Sequence, residues 1–310
     1  MSLYDQLWVE KYRPTKLEDL VLSEKNRKFF SEINEDTPHL LLYGNPGTGK
    51  TTLAKILVKD ILKCQYLYIN ASDENGIDTI RNKVTNFSQT SSLDGKKKVI
   101  ILDEFCGTTN EAQRSLRSVM EEYSGTTRFI LTANYIARIC EPIQSRCLMF
   151  KIEPSPTDSI IRCCKILKNE NIKILDSDKD KLVEFINSKH PDLRRIINDL
   201  QKFSVTGTLQ ISENDDIKNI SEKVYDLLIA KKDSTEIRKF SINEEKNFGS
   251  DYQNLMKELL EFFFSNKTLK DPIKKRIILE LGEHIYRDNF VADHEINFYC
   301  CIIAIESALL

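Results

Sequence analysis

Short apolar runs recur along the first half of the chain, separated by stretches in which apolar residues return every three or four positions. HLLLY (39–43), QYLYIN (65–70), KVIILDE (98–104), RFILTAN (128–134) and CLMFKI (147–152) predict strands. TTLAKILVKDIL (51–62) and NEAQRSLRSVMEEY (110–123) carry the helical period and predict helices between them. Apolar strands alternating with helices predict an α/β fold, in which a parallel sheet is covered on both faces.

The pattern changes at EPSPTDS (153–159), where two prolines disfavour a continuing helix or a central strand. Beyond it only helices are expected, over about 157–169, 178–189 and 192–203. A second seam follows in SVTGTLQISENDD (204–216), rich in small and polar residues. The remainder, 217–310, reads as amphipathic helices. DYQNLMKELLEFFFSN and EINFYCCIIAIESALL are apolar enough to require packing against each other or against another chain. Three parts result: 1–152, 153–207 and 208–310. No internal repeat or low-complexity tract interrupts them.

Composition narrows the possibilities. A chain of 310 residues that is 41% hydrophobic and 30% charged suits a globular protein with a substantial core. The formal net charge of -2 excludes a basic nucleic-acid coat, so any contact with DNA would have to rest on a local patch. None of the eight cysteines forms a CxxC pair, and the expectation is reduced, buried thiols rather than zinc ligands or disulfides. The opening MSLYDQLWVEKYRP is charged too early for a signal peptide, and no apolar run reaches the roughly 18 residues of a membrane span. An intracellular protein is expected.

Gly44-Asn45-Pro46-Gly47-Thr48-Gly49-Lys50-Thr51 fits GxxxxGK(S/T) at every fixed position, with a strand before it and a helix after it. The glycines let successive N–H groups turn inward toward phosphates, and the helix that follows adds its positive end. Lys50 is expected to reach the β- and γ-phosphates, and the Thr51 hydroxyl to bind Mg2+. In VIILDEF, an apolar strand ends in Asp103-Glu104. Asp103 is placed to hold Mg2+ directly or through water, and Glu104 to polarise an attacking water. Asn134, which ends ILTAN, is either a γ-phosphate sensor or a plain strand end. In PDLRRIINDL, Pro191 is expected in the first turn of a helix. Arg194 or Arg195 then either folds over the nucleotide or sits on a solvated face. Arg146, in EPIQSRC, is a fixed cation well suited to a phosphate.

Together these motifs resemble an AAA+ ATPase of the sliding-clamp loader family. WVEKYRPTKLEDLV is similar to the N-terminal box of replication factor C small subunits. GNPGTGKTT, ASDENGIDTIR, LDEF, TAN, QSRC and PDLRR follow in that family's order, covering residues 8 to about 203. Length and wording look closest to the large subunit of T-even-type bacteriophage clamp loaders, with cellular small subunits next. The tail Asp103-Glu104-Phe105-Cys106 departs from the common DEAD-type ending but keeps the acidic pair. The four-cysteine zinc module of bacterial clamp loader ATPases is missing from the sequence.

The resemblance implies a RecA-like core over 1–152, a helical lid over 153–207 and a helical oligomerisation collar over 208–310. It implies ATP and Mg2+, with Gly47, Thr48, Gly49, Lys50, Thr51 and Thr52 at the phosphates. Val9, Glu10, Lys11, Tyr12 and Val21 would border adenine and ribose. Asn134 becomes the first sensor, and Arg194 the second, acting in cis. Arg146 becomes an arginine finger supplied to the neighbouring subunit, helped by Ser145. Ile77, Arg81, Gln113 and Arg114 would face primer–template DNA, and Met120 and Tyr123 the clamp. Expected partners are the sliding clamp, primer–template DNA, further copies of the chain and a second, smaller subunit in a hetero-pentamer. The location would be the host cytoplasm if the chain is phage-encoded. The alternatives are another AAA+ DNA motor, such as a branch-migration helicase, and a nucleotide-binding scaffold.

Overall fold

The computed structural model describes residues 7–72, 77–90, 95–211 and 215–309; the side chains of 77–80, 177, 215 and 216 fall outside the description. The chain forms two compact units, Met1–Ile211 and Ser212–Leu310.

In the first unit each expected strand is present: β1 (His39–Tyr43), β2 (Tyr66–Asn70), β3 (Lys98–Asp103), β4 (Thr127–Ala133) and β5 (Cys147–Lys151). They form one sheet in the order β2-β3-β4-β1-β5, and every pairing is parallel. β3 is buried along its whole length, β1 along all but Tyr43 and β4 along all but Arg128, because both faces are covered. Leu40, Leu42, Val99, Ile101 and Ile130 pack on one side with Leu53, Ala54 and Leu57 of the helix after β1. Leu41, Ile69, Ile100, Leu102, Phe129 and Leu131 pack on the other, against α4 (Ile77–Gln89) and α5 (Asn110–Glu122). The two-residue period of the strands thus divides the core into two layers.

Two short helices accompany the sheet, α2 (Glu24–Ser31) and α6 (Glu141–Gln144), and a third, α1 (Trp8–Lys11), packs against the helices beyond it. The helix expected over 51–62 is α-helical only over α3 (Lys50–Ile56) and widens to a π-turn over Leu57–Ile61. The Leu62 N–H donates to Leu57 O at 2.8 Å, and the wider turn keeps both Leu57 and Val58 fully buried.

A separate cluster joins α7 (Pro156–Asn169), α8 (Lys179–Lys189) and α9 (Leu193–Phe203) around Ile166, Phe185, Ile196 and Leu200, with Trp8 packed among them. The Ser155 hydroxyl caps α7 and Pro156 fills its first turn. Asp192 caps α9 by accepting the Arg195 N–H at 3.0 Å, so Pro191 lies just ahead of the cap and not in the first turn. Leu209 and Ile211 also belong to this cluster, and Leu209 N–H donates to Lys173 O at 2.9 Å. Residues 208–211, expected at the start of the third part, therefore pack with the second.

The second unit holds α10 (Asp215–Ile229), α11 (Ser234–Asn243), α12 (Glu245–Phe248), α13 (Tyr252–Ser265), α14 (Asp271–Arg287) and α15 (His294–Leu309). Its core brings Val224, Leu255, Leu259, Phe263, Leu281, Phe298 and Ile302 together. The two apolar segments singled out in the sequence, now α13 and α15, pack against each other as expected.

Candidate nucleotide site

The glycine loop leaves the C-terminal end of β1 and closes on the first turn of α3. Gly49 is the N-cap of α3 at φ +92, and Gly47 stands at φ +74; both lie in the region that side chains disfavour. A Cβ on Gly47 would lie 1.7 Å from Asp192 Oδ1, so the loop and the cap of α9 are in direct contact. Lys50, the first residue of α3, is only 7% exposed. Its ammonium donates to Gly44 O at 2.8 Å and Asn45 O at 2.7 Å. Burial lowers its pKa to about 8. Among the described residues it forms no ion pair.

Asp103 ends β3 next to Asn70 of β2 and beside the strand that carries Thr132. Its carboxylate receives Thr132 Oγ1 at 2.5 Å, Tyr68 OH at 2.8 Å and the Thr51 hydroxyl at 2.8 and 3.0 Å. Glu104 follows at φ +53, a left-handed conformation rare outside glycine and costly to hold. Its backbone N–H donates to Thr132 Oγ1 at 3.0 Å, and its Oε2 accepts from the Ser72 hydroxyl at 3.0 Å. Thr132 thus fixes both members of the acidic pair. The Asn134 N–H donates to Cys106 Sγ at 3.4 Å.

These elements enclose a cavity of about 440 Å3. From the expected residues it is lined by Val9, Tyr12, Val21, Gly47, Thr48, Gly49, Lys50, Thr51, Thr52, Asp103, Glu104, Asn134 and Arg194. Glu10 and Lys11, expected beside them, do not line it: Glu10 pairs with Arg13 at 2.9 Å, and Lys11 with Glu170 at 2.6 Å. Sequence reasoning missed Arg13, Lys55, Tyr68, Thr132 and Arg162, all of which do. Arg162 reaches across from α7 and donates to Tyr12 O at 2.6 Å, tying the N-terminal segment to the helical cluster.

Arg146 does not line this cavity. Its Nε donates to Glu121 Oε1 at 2.7 Å and its Nη1 to Pro142 O at 2.7 Å; the Ser145 hydroxyl lies 3.3 Å from Nη1.

The expected DNA- and clamp-facing residues divide. Arg81 on α4 and Arg114 on α5 are exposed. The Ile77 side chain lies outside the described residues. Gln113 is wholly buried, with its amide engaged by Arg138 O at 2.9 Å and by the Cys140 N–H at 2.7 Å, so it faces no external partner. Met120 is wholly buried in the core between α5 and the sheet, and Tyr123 packs beside it. None of the eight cysteines, all among the described residues, forms a disulfide, but the expectation that they are buried holds only for Cys163 and Cys301: Cys64, Cys106, Cys140 and Cys147 are half-buried, and Cys164 and Cys300 are exposed. Each is the outward member of an adjacent pair on a helix, where neighbouring positions point in different directions.

The site suits a nucleotide with its magnesium ion. A buried ammonium, a helix N-terminus and inward-turned glycines meet the needs of phosphate oxygens. Among the described residues no group of three or more His, Cys, Asp or Glu side chains is gathered to hold a metal. Mg2+ asks for less: one or two protein oxygens, with water and phosphate completing its shell. The Thr51 hydroxyl and the Asp103 carboxylate, 2.8 Å apart at the cavity, are oxygens of that kind.

Residues 40–153 match the family described as ATPase family associated with various cellular activities (AAA). Residues 156–213 match the sliding-clamp-loader large subunit, AAA+ ATPase lid domain. The replication factor C small subunit of Sulfurisphaera tokodaii is 36% identical over 96% of this chain and 94% of its own length. That of Sulfolobus acidocaldarius is 36% identical over 94% and 93%, and that of Archaeoglobus fulgidus 34% over 91% and 91%. These relatives are archaeal, and a bacteriophage origin does not follow from them. Thermotoga maritima RuvB, a Holliday junction branch migration motor, superposes with a TM-score of 0.50 at 20% identity, covering 70% of this chain and 79% of that one. That likeness concerns the fold alone. With the phosphate loop, the acidic strand end and the lid arginine meeting at one cavity, the chain is a clamp-loader ATPase and belongs to the replication factor C small-subunit family.

Proposed function

We propose that the chain hydrolyses Mg2+-ATP within a ring-like assembly that opens a sliding clamp and places it on primer–template DNA. The observation that carries this reading is the separation of the catalytic parts. Lys50, Thr51, Asp103, Glu104, Asn134 and Arg194 share one cavity, while Arg146 stands apart from it on a partly exposed loop. A chain that holds the pocket on one side and the finger on another forms complete sites only between copies.

In this reading Lys50 binds the β- and γ-phosphates, and Thr51 and Asp103 hold Mg2+. When bound, the ion neutralises charge on the phosphate oxygens. Glu104 accepts a proton from water as the water oxygen bonds to the γ-phosphorus and the bond to ADP breaks. Glu104 must first leave Ser72. Asn134 orients the water, and Arg194 reports the γ-phosphate to the lid. Arg146 of one copy neutralises charge on the nucleotide of the next.

Arg81 and Arg114 are proposed to touch DNA phosphates, which reads shape and not sequence. The helical unit from Ser212 onward is proposed as the collar, and a hetero-pentamer with a smaller subunit as the assembly. Steady-state ATP turnover tests the reading, measured with the partner subunit alone, with primer–template DNA, with the clamp, and with both. Synergy between DNA and clamp is expected; stimulation by DNA that ignores the clamp would favour a DNA motor instead.

A further inference from the structure

Tyr68 sits on β2 opposite Ile101 of β3, and Asp103 lies two residues further along β3. Residues two apart on a strand share a face, and the diagonal neighbour on the next strand is within reach of a long side chain. The Tyr68 phenol makes that reach, donating to Asp103 Oδ2 at 2.8 Å. Thr132 donates to the opposite oxygen, Oδ1, at 2.5 Å. The Lys55 ammonium of α3 stands 4.4 Å from the centre of the Tyr68 ring, and both residues line the nucleotide cavity.

We propose that Tyr68 is a positioning residue for the divalent cation, acting through Asp103. The proposal rests on the reading above in which Thr51 and Asp103 hold that ion. A carboxylate turns readily about its terminal torsion, where no sharp rotamer holds it. Two fixed donors, one on each oxygen, set its plane: Thr132 from β4 and Tyr68 from β2. The Thr51 hydroxyl donates to the same carboxylate at 2.8 and 3.0 Å, which leaves the lone pairs of its oxygen for the ion in that reading. Lys55 keeps the ring in place by a cation–π contact, which is stronger when partly desolvated.

The phenol is a donor to an ionised acceptor, and such bonds are the stronger kind. Losing one is worth a shift on the order of tenfold in a coupled equilibrium. A Tyr68→Phe chain is therefore expected to bind a fluorescent ATP analogue in EDTA within about twofold of wild type. The Mg2+ concentration that half-maximally tightens that binding is expected to rise about tenfold. Tyr66→Phe, on the same strand but without a bond to Asp103, is expected to leave the Mg2+ midpoint unchanged. Lys55→Met, which removes the support of the ring, should move it in the direction of Tyr68→Phe by less. An unchanged or lower Mg2+ midpoint in Tyr68→Phe would overturn the proposal, since a purely structural or charge-masking phenol gives those results. A wild-type chain whose nucleotide affinity ignores Mg2+ would instead overturn the cation reading itself, and this proposal with it.

Discussion

Arg146 is ion-paired with Glu121, its Nε donating to Oε1 at 2.7 Å on the surface of the first unit. Arg117, one helical turn before Glu121, shares the same carboxylate at 3.2 Å. Both arginines hold the Glu121 carboxyl below the usual carboxylate range, through hydrogen bonds first from Arg117 and then from Arg146. Glu121 is half exposed, and exposed ion pairs contribute little to stability. The pair therefore parks the guanidinium without trapping it. Glu121→Gln is expected to leave the thermal midpoint unchanged and DNA- and clamp-stimulated turnover within a few-fold of wild type. A loss of turnover beyond about 100-fold, the scale of a catalytic proton-transfer group, would assign Glu121 to the neighbouring active site instead.

Glu104→Gln keeps the size and shape of the side chain but removes the acceptor for the proton of water. Hydrolysis is expected to fall by roughly 10²–10⁴. Nucleotide affinity should stay near wild type, because the proposed phosphate contacts are those of Lys50 and the loop. Comparing single-turnover rates with equilibrium binding separates the two effects; a parallel loss of affinity would contradict the assigned role.

Gly47→Ala addresses the contact between the loop and the cap of α9. The left-handed backbone alone costs an alanine about 1–2 kcal/mol. The added methyl also meets Asp192, whose Oδ1 lies 1.7 Å from its ideal position. Reduced nucleotide affinity and a lower thermal midpoint are both expected. An unchanged affinity would show that the cap of α9 does not sit over the loop in solution.

His39 supplies a pH dependence. It is 9% exposed, its Nδ1 accepts the Phe129 N–H at 3.1 Å, and burial lowers its pKa from 6.5 to about 4. The unfolded chain takes up a proton near pH 6.5, and the folded chain only near pH 4. Stability conferred by the neutral ring is thus complete above pH 6.5 and is lost as pH falls toward 4. The loss is on the order of 3 kcal/mol. Urea unfolding at pH 7 and pH 4.5 should show it, and His39→Gln, which carries no titrating ring, should flatten that part of the profile. A variant with the same pH profile as wild type would remove His39 as the cause.

Much of this was legible in the sequence, for physical reasons. The apolar runs from HLLLY to CLMFKI gave strands within a residue of their observed ends; the central strands are apolar because both faces are covered, while the edge strand β5 keeps its apolar run although Leu148 and Met149 are exposed. The phosphate loop was legible because its glycines are required by a local turn and its lysine follows at a fixed spacing. Gln113 was misread, although it lies three residues before Leu116 and seven before Met120, on the buried stripe of α5. The family resemblance put it on the face toward DNA, whereas it meets the Arg138 carbonyl and the Cys140 N–H inside. Tyr68 and Arg162 were invisible for another reason. Their roles depend on strand register and on helix placement, which no local pattern encodes.

The central claim is that each active site is divided between two copies of the chain. Mixing Lys50→Ala chains with Arg146→Ala chains tests it most directly. Each variant alone is expected to be inactive in DNA- and clamp-stimulated hydrolysis, the first without a phosphate ligand and the second without a finger. In mixed assemblies a Lys50→Ala chain presents an intact Arg146 to the intact pocket of an Arg146→Ala neighbour, and turnover should reappear. If the mixture stays as inactive as its components while still assembling, Arg146 serves its own chain or none, and the account fails.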